Sequence, residues 1–168
     1  MAILPRLQEY LESHHAQYEV LKHVNTYTAQ ETARVQHVPG KEVAKVVMVK
    51  KEDQTPVMLV LPASYRVDFE ALQAVMHTNA VLEEEREFRT LFPGCETGAE
   101  PPFGNLFDLE TVVDTALTRD EQIVFNAGSH RESVRMRYED FASLVHPYVA
   151  TFARPYSPVY VKNPYEDY

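Results

Sequence analysis

The sequence has few of the residues that form disulfides, metal centres and flexible phosphate-binding loops. Among its 168 residues there are one cysteine, no tryptophan and only five glycines. The single Cys95 excludes an intramolecular disulfide and a cysteine-rich zinc site. The seven histidines show no ligand spacing with acidic or cysteine partners. We therefore expect no metal and no other cofactor.

Long hydrophobic runs and common catalytic signatures are also missing. The longest apolar runs, such as residues 57–61, are too short to cross a bilayer. The N-terminus has no basic segment followed by an apolar one, as a secretory signal would require. The sequence has no Gly-x-Gly-x-x-Gly, no phosphate-binding loop that ends in Gly-Lys-Ser/Thr and no Gly-x-Ser-x-Gly. We expect a cytoplasmic protein without a membrane partner.

Positive charge is scarce as well. The chain has 16 Lys+Arg against 25 Asp+Glu, a net charge of −9. A protein that coats nucleic acid needs a positive field to bind phosphates, so this function is excluded and no DNA partner is expected. A local basic site could still bind one end of a nucleic acid.

What is present is the ordinary composition of a globular domain, with 45% apolar and 24% charged residues. Two β-branched runs, Val43–Lys50 and Val57–Leu61, predict an antiparallel hairpin. Thr28-x-x-Glu31 has the form of a capping box, and Asp68 can cap a second helix. Strands and helices without a regular βαβ order predict a mixed α/β (α+β) domain over residues 1–150.

Residues 151–168 form a tail of different composition. The tail holds four of the ten tyrosines and three prolines. Either it is an extended segment on the surface, or it docks to a partner. We expect no catalytic residue in it.

Lys45 is the first candidate site residue, because it interrupts an apolar strand. Lysine is rarely buried without a partner. It either points outward from a half-exposed strand or lies at the wall of a pocket as a cation for a carboxylate or phosphate.

Two glycine-bearing loops are the other candidates. Residues 98–104 combine glycines with prolines, and such a loop is either a surface turn or a cradle whose backbone amides bind an oxyanion. Residues 125–131 place Gly, Ser, His and Arg directly after a predicted strand. A nucleophilic pair of Ser129 with His130 is disfavoured, because adjacent side chains on an extended chain diverge.

These features, in this order, resemble the YbaK-type editing domains associated with prolyl-tRNA synthetase, which hydrolyse wrongly charged aminoacyl-tRNA. The matching stretches lie between about residues 15 and 150. They are Tyr27–Ala33, Val43–Val49, Val60–Pro62 with Arg66–Asp68, Gly98–Gly104 and Ile123–Gly128. No single stretch is specific, but their order and spacing are.

The resemblance implies a curved mixed sheet flanked by helices, with a pocket between the lysine strand and the glycine-proline loop. Lys45 matches the functional lysine of the family, and Gly98 and Gly128 match its two glycine loops. These three are the expected catalytic residues. The expected substrate-binding residues are Tyr27, Thr28, Pro101, Pro102, Phe103, Asn126, Ser129 and His130.

The implied function is trans-editing: hydrolysis of the ester of a mischarged tRNA by water, with backbone amides that stabilise the oxyanion and with Lys45 as substrate anchor. The expected partners are the acceptor end of aminoacyl-tRNA and a synthetase that holds the substrate. Two alternatives stay open. One is a binding module of the same fold that senses an amino acid or a charged tRNA, and the other is a structural protein that assembles through its tail.

Overall fold

The computed structural model describes residues 3–156. Within this range the α-helices are α1 (Pro5–Ser13), α2 (Ala29–Val35), α3 (Phe69–Met76), α4 (Glu85–Phe88) and α5 (Tyr138–Val145). The strands of the same range are β1 (Glu19–Lys22), β2 (Ala44–Lys51), β3 (Pro56–Pro62), β4 (Tyr65–Val67), β5 (Ala80–Leu82), β6 (Glu110–Asp114), β7 (Gln122–Asn126), β8 (Glu132–Arg137), β9 (Tyr148–Ala150) and β10 (Ala153–Pro155).

The strands form one five-stranded sheet and two smaller ones. The large sheet has the order β5-β2-β3-β6-β9, in which β2 pairs antiparallel with β3 and β5, whereas β6 runs parallel to β3 and β9. The second sheet has the antiparallel order β1-β8-β7, and the third pairs β4 with β10. The predicted mixed α+β fold class is confirmed.

Both faces of the large sheet are buried along its central strands β3 and β6. One face packs against β7, β8 and helices α1 and α5 in the larger core, in which Phe103, Phe125 and Phe141 contact one another. The other face packs against α3 and the fully buried Phe152. A strand that is covered on both sides must be apolar along its whole length, which explains the nearly continuous hydrophobic run of β3.

Several elements form where local sequence signals predict them. The β2–β3 hairpin has the register Lys45↔Leu61, so the predicted antiparallel pairing is confirmed. Thr28 caps α2 by accepting the N–H of Glu31 at 3.1 Å, and Asp68 caps α3 by accepting two backbone N–H groups. Each cap satisfies amide donors that the first helical turn leaves without a partner.

The chain continues its fold beyond residue 150. Strand β10 pairs with β4, and the buried Asp114 carboxylate accepts the N–H groups of Phe152 and Ala153, each at 2.9 Å. Residues 151–156 of the predicted tail are thus fastened to the domain. The remainder of that tail, residues 157–168, lies outside the described residues.

Candidate functional site

A cavity of about 240 Å³ lies where the start of β2 meets α2 and the loop that begins at Gly98. We call it the lysine pocket. Residues from five separate segments line it: Tyr27, Thr28, Ala29, Ala44, Lys45, Val46, Glu85, Gly98, Glu100 and Asn126. Five of the eleven predicted site residues therefore meet at one cavity, namely Tyr27, Thr28, Lys45, Gly98 and Asn126.

Lys45 lies near the start of β2 and is half-buried. Its Nζ donates a hydrogen bond to the Tyr156 hydroxyl at 3.3 Å and lies 5.2 Å from the centre of the Tyr156 ring. Lysine in an apolar strand is tolerated here because the ammonium has a polar and an aromatic neighbour at the wall of the lysine pocket. Of the two alternatives that the sequence left open for its position, the structure has the second, a half-buried lysine at the wall of a pocket.

The loop at Gly98 has a conformation that depends on glycine. Gly98 has φ = +90°, a region that residues with a Cβ rarely adopt. Its N–H donates to Oε1 of Glu100 at 3.0 Å. The Gly98 amide is thus already paired within the loop, which differs from the expectation of a free oxyanion donor.

Glu100 is the residue of the lysine pocket that the sequence interpretation missed. Its side chain is 6% exposed, and burial raises the pKa of its carboxyl above the usual range. A carboxylate in such a place favours a cationic neighbour. The available signal was an acidic residue between a glycine and two prolines in a loop that is otherwise apolar, and Glu85 at the start of α4 offered no comparable signal.

Three predicted substrate-binding residues do not line the lysine pocket. Pro101, Pro102 and Phe103 are buried. The Phe103 ring packs against Phe125 and Phe141, with ring centres 5.5 and 5.4 Å apart. These side chains support the loop from the core side instead of facing a ligand.

Gly128 joins the two loops and does not face the lysine pocket. Its N–H donates to the carbonyl of Ala99 at 2.9 Å, so this amide is also unavailable as an oxyanion donor. A Cβ at Gly128 would lie 2.9 Å from Cβ of Leu4. The glycine is therefore required by close packing against the residue that precedes α1. Nearby Asn126 does reach the pocket, and its Oδ1 is buried without a hydrogen-bond partner among residues 3–156.

Ser129 and His130 have structural partners. The Ser129 hydroxyl donates to the Glu132 carboxylate and accepts the N–H of Arg131, so it stabilises a turn. His130 is 7% exposed, and its Nε2 donates to the carbonyl of Thr97 at 2.8 Å. Its ring lies 5.2 Å from the exposed ring of Tyr27. His130 thereby holds the Gly98 loop against the wall of the pocket.

The single cysteine is poorly placed to act as a nucleophile. Burial raises the pKa of the Cys95 thiol to about 12, so the reactive thiolate is scarce near neutral pH. Within residues 3–156, no group of three or more His, Cys, Asp or Glu side chains could hold a metal ion.

None of the helices in this range has the length and apolar character that crossing a bilayer requires.

Solved structures with the same fold cover most of the chain. A candidate trans-editing enzyme for prolyl tRNA synthetase matches with a TM-score of 0.78 and 21% identity, over 91% of this chain and 99% of the other. A hypothetical protein matches with a TM-score of 0.81 and 18% identity, over 89% and 99%. A candidate signal transduction protein from Marinobacter aquaeolei VT8 matches with a TM-score of 0.72 and 18% identity, over 90% of this chain but 31% of the larger one.

Sequence comparison gives the family. No curated protein sequence matches the chain significantly. The family model of the aminoacyl-tRNA editing domain matches residues 23–144, a stretch that contains every residue lining the lysine pocket. The resemblance seen in the sequence is confirmed, and the protein belongs to the aminoacyl-tRNA editing domain family.

Proposed function

We propose that the protein is a trans-editing deacylase that hydrolyses the ester between an amino acid and the terminal ribose of a mischarged tRNA. The observation that carries the proposal is the position of Lys45. In a chain of the editing family, its ammonium lies at the wall of a cavity that Gly98, Glu100 and Asn126 also line. This cavity offers one cation and one buried carboxylate to a small, charged ligand.

The reaction needs no protein nucleophile. A water oxygen attacks the ester carbonyl carbon, and the tetrahedral intermediate collapses as the bond from that carbon to the ribose oxygen breaks. The ribose oxygen takes up the proton that the attacking water loses, and the products are the free amino acid and the tRNA. A hydroxyl of the substrate helps to position the water, as the resemblance to the editing domains implies.

The amide donors once expected from Gly98 and Gly128 are engaged within the protein, so the oxyanion needs another partner. We assign this role to the Lys45 ammonium, which also anchors the phosphate end of the terminal nucleotide. Electrostatic stabilisation of this kind is worth about 3 to 4 kcal/mol for a single well-placed donor. The unpaired Oδ1 of Asn126 accepts a hydrogen bond from the attacking water or the ribose.

Glu100 completes the proposed site by binding the α-ammonium of the aminoacyl group. Its carboxylate is buried, and a buried anion is stabilised by a cation within a few ångströms. The same contact supports the second candidate function, a module that binds an amino acid or a charged tRNA without hydrolysis. The observation in favour of this module is that the Glu100 carboxylate already accepts the hydrogen bond of the Gly98 N–H, which an oxyanion would otherwise accept.

The deciding experiment measures release of amino acid from a panel of mischarged tRNAs, with a chelator present throughout because no metal is proposed. We expect the wild-type protein to clear at least one member and Lys45→Ala to lower kcat/KM on it by about 100-fold or more. Removing a half-exposed lysine should change the free energy of unfolding by only about 0.5 kcal/mol.

The matched control is Lys50→Ala, which removes a lysine of the same strand that is paired with Glu87 at 2.8 Å outside the lysine pocket. This variant should deacylate like the wild type. Binding of charged tRNA without release of any amino acid would favour the sensing module. Wild-type turnover by Lys45→Ala would show that the lysine has no part in the reaction.

A further inference from the structure

The C-terminal strand brings an aromatic side chain onto the proposed functional lysine. Tyr156 follows β10, and its hydroxyl and ring both contact Nζ of Lys45, at 3.3 Å and at 5.2 Å from the ring centre. We propose that Tyr156 is a positioning residue for Lys45, so that strand β10 belongs to the functional site. The catalytic part of this inference rests on the function proposed above.

The family match gives no reason to expect a site residue here. It ends at residue 144, before β9 and β10 begin. The sequence alone also favoured an extended tail without a catalytic role. The assignment therefore depends on the contact between two residues that are 111 positions apart.

Tyr156 is held in place from two sides. Its N–H donates to the carbonyl of Ser64 at 3.2 Å, and the preceding Pro155 pairs with Tyr65 in β4. Ser64 lies just beyond the end of β3, whose Leu61 is the partner of Lys45 across the hairpin. The tyrosine and the lysine are thus attached to the same end of one hairpin, and a shift of β10 would separate them.

The contact matters because a lysine side chain is long and flexible. Fixing it costs rotamer entropy, and this cost falls on every substrate that must find the ammonium in place. A phenolic oxygen that accepts from Nζ restricts Nζ to the region beside the Tyr156 hydroxyl. Tyr156 therefore prepares Lys45 for the substrate before it binds.

The first test detects the contact without any assay of activity. The lysines are reductively methylated with ¹³C-formaldehyde, and the Lys45 signal is identified by its loss in Lys45→Arg. We expect this signal to differ from those of the exposed lysines, because the Tyr156 hydroxyl accepts from Nζ, and to move to their region in Tyr156→Ala. The control Tyr148→Ala removes an exposed tyrosine of β9 and should leave the signal unmoved. A Lys45 signal that is the same with and without Tyr156 would overturn the inference.

The second test compares steady-state kinetics on the tRNA that the wild type clears best. Tyr156→Ala should change the same parameter, kcat or KM, that Lys45→Ala changes, by about tenfold, and Tyr156→Phe should recover part of the loss because the ring remains. Melting temperatures near that of the wild type show that the variants are folded.

The possible failures are distinguishable. Wild-type kinetics in Tyr156→Ala, or a faster rate, would show that the tyrosine does not position Lys45 for reaction. A change in the parameter that Lys45→Ala leaves alone would have the same consequence. If the wild type clears no tRNA, the proposed function fails, while the methylated lysine signal still decides whether the contact exists.

Discussion

The backbone of Gly98 determines what a substitution there does. With φ = +90°, an alanine is strained, and its Cβ would lie 3.4 Å from Cε1 of His130. We expect Gly98→Ala to lower the free energy of unfolding by about 1 to 2 kcal/mol, which a thermal melt would detect. The positive φ therefore makes destabilisation the expected result of this substitution.

Gly94→Ala is the matched control, because Gly94 also has a positive φ of +85° but does not line the lysine pocket. Both variants should melt earlier. At a temperature well below both melting points, only Gly98→Ala should lose deacylation. Equal activity of the two would mean that the Gly98 loop serves the fold alone.

Glu100 gives the stability of the protein a defined pH dependence. Burial raises its folded pKa above the ordinary value of 4.5, so the folded state binds this proton more tightly than the unfolded chain. The stabilisation is complete below pH 4.5 and is lost as the pH rises through the folded pKa. We expect Glu100→Gln to melt above the wild type at pH 8, with a difference that shrinks toward pH 4, and to lose deacylation.

Asp120→Asn separates these two effects. Burial, with a smaller contribution from the Glu42 carboxylate, raises the pKa of Asp120 to about 6, and Asp120 does not line the lysine pocket. Asp120→Asn should be more stable than the wild type, by a difference that grows as the pH rises from about 4 to 6 and persists above it. The variant should keep full activity. If Asp120→Asn also loses deacylation, the loss in Glu100→Gln does not show that the carboxylate in the lysine pocket takes part in the reaction.

The residues of the candidate site were predictable where one segment carries the signal. Lys45 stands out in an apolar strand, and Thr28 follows from its helix cap. Glu100 and Tyr156 were missed because their importance comes from neighbours that only the fold supplies. The roles of the lining residues in a reaction stay predictions.

At the scale of elements, the buried Asp114 fastens β10 to the domain. Its carboxylate accepts three backbone N–H groups, those of Phe152, Ala153 and Ala116. Removing it leaves buried donors without partners, at a cost of about 1 to 3 kcal/mol or more. We expect Asp114→Ala to lower the melting temperature strongly and to shift the methylated Lys45 signal as Tyr156→Ala does.

Asp114→Asn is the milder comparison. Its amide oxygen still accepts from Phe152 and Ala153, whereas its NH₂ group opposes the N–H of Ala116. An intermediate melting temperature with an unmoved Lys45 signal is expected. If Asp114→Ala melts like the wild type, the carboxylate does not hold β10.

Long, strongly patterned elements were predictable, and the three-residue strands β4 and β10 were not. The β2–β3 hairpin carries its own apolar pattern and register, and the caps of α2 and α3 are local. Strands β4 and β10 have three residues each, and their pairing joins segments almost 90 positions apart. Such strands exist because a neighbour offers hydrogen bonds, which no local pattern reveals.

At the scale of the whole molecule, the net charge of −9 disfavours a broad contact with nucleic-acid phosphates, so we expect the protein to contact tRNA at its acceptor end. We expect an aminoacylated acceptor-stem minihelix to be cleared within about threefold of the kcat/KM for whole tRNA, with a shallow dependence on salt. The measurement is a titration from low to moderate salt with both substrates. A minihelix that reacts far more slowly, or a steep salt slope, would reveal contacts along the tRNA body.

The pairing of β10 with β4 also bears on the order in which parts of the protein fold. A ribosome makes residues 65–67 well before residues 153–155, and the parallel neighbours β3 and β6 are separated by about 50 positions. Pairings over such distances form slowly, because the loop must close before any contact stabilises it. We therefore expect the contact between Lys45 and Tyr156 to form late in folding, and a chain that is still being synthesised to lack it.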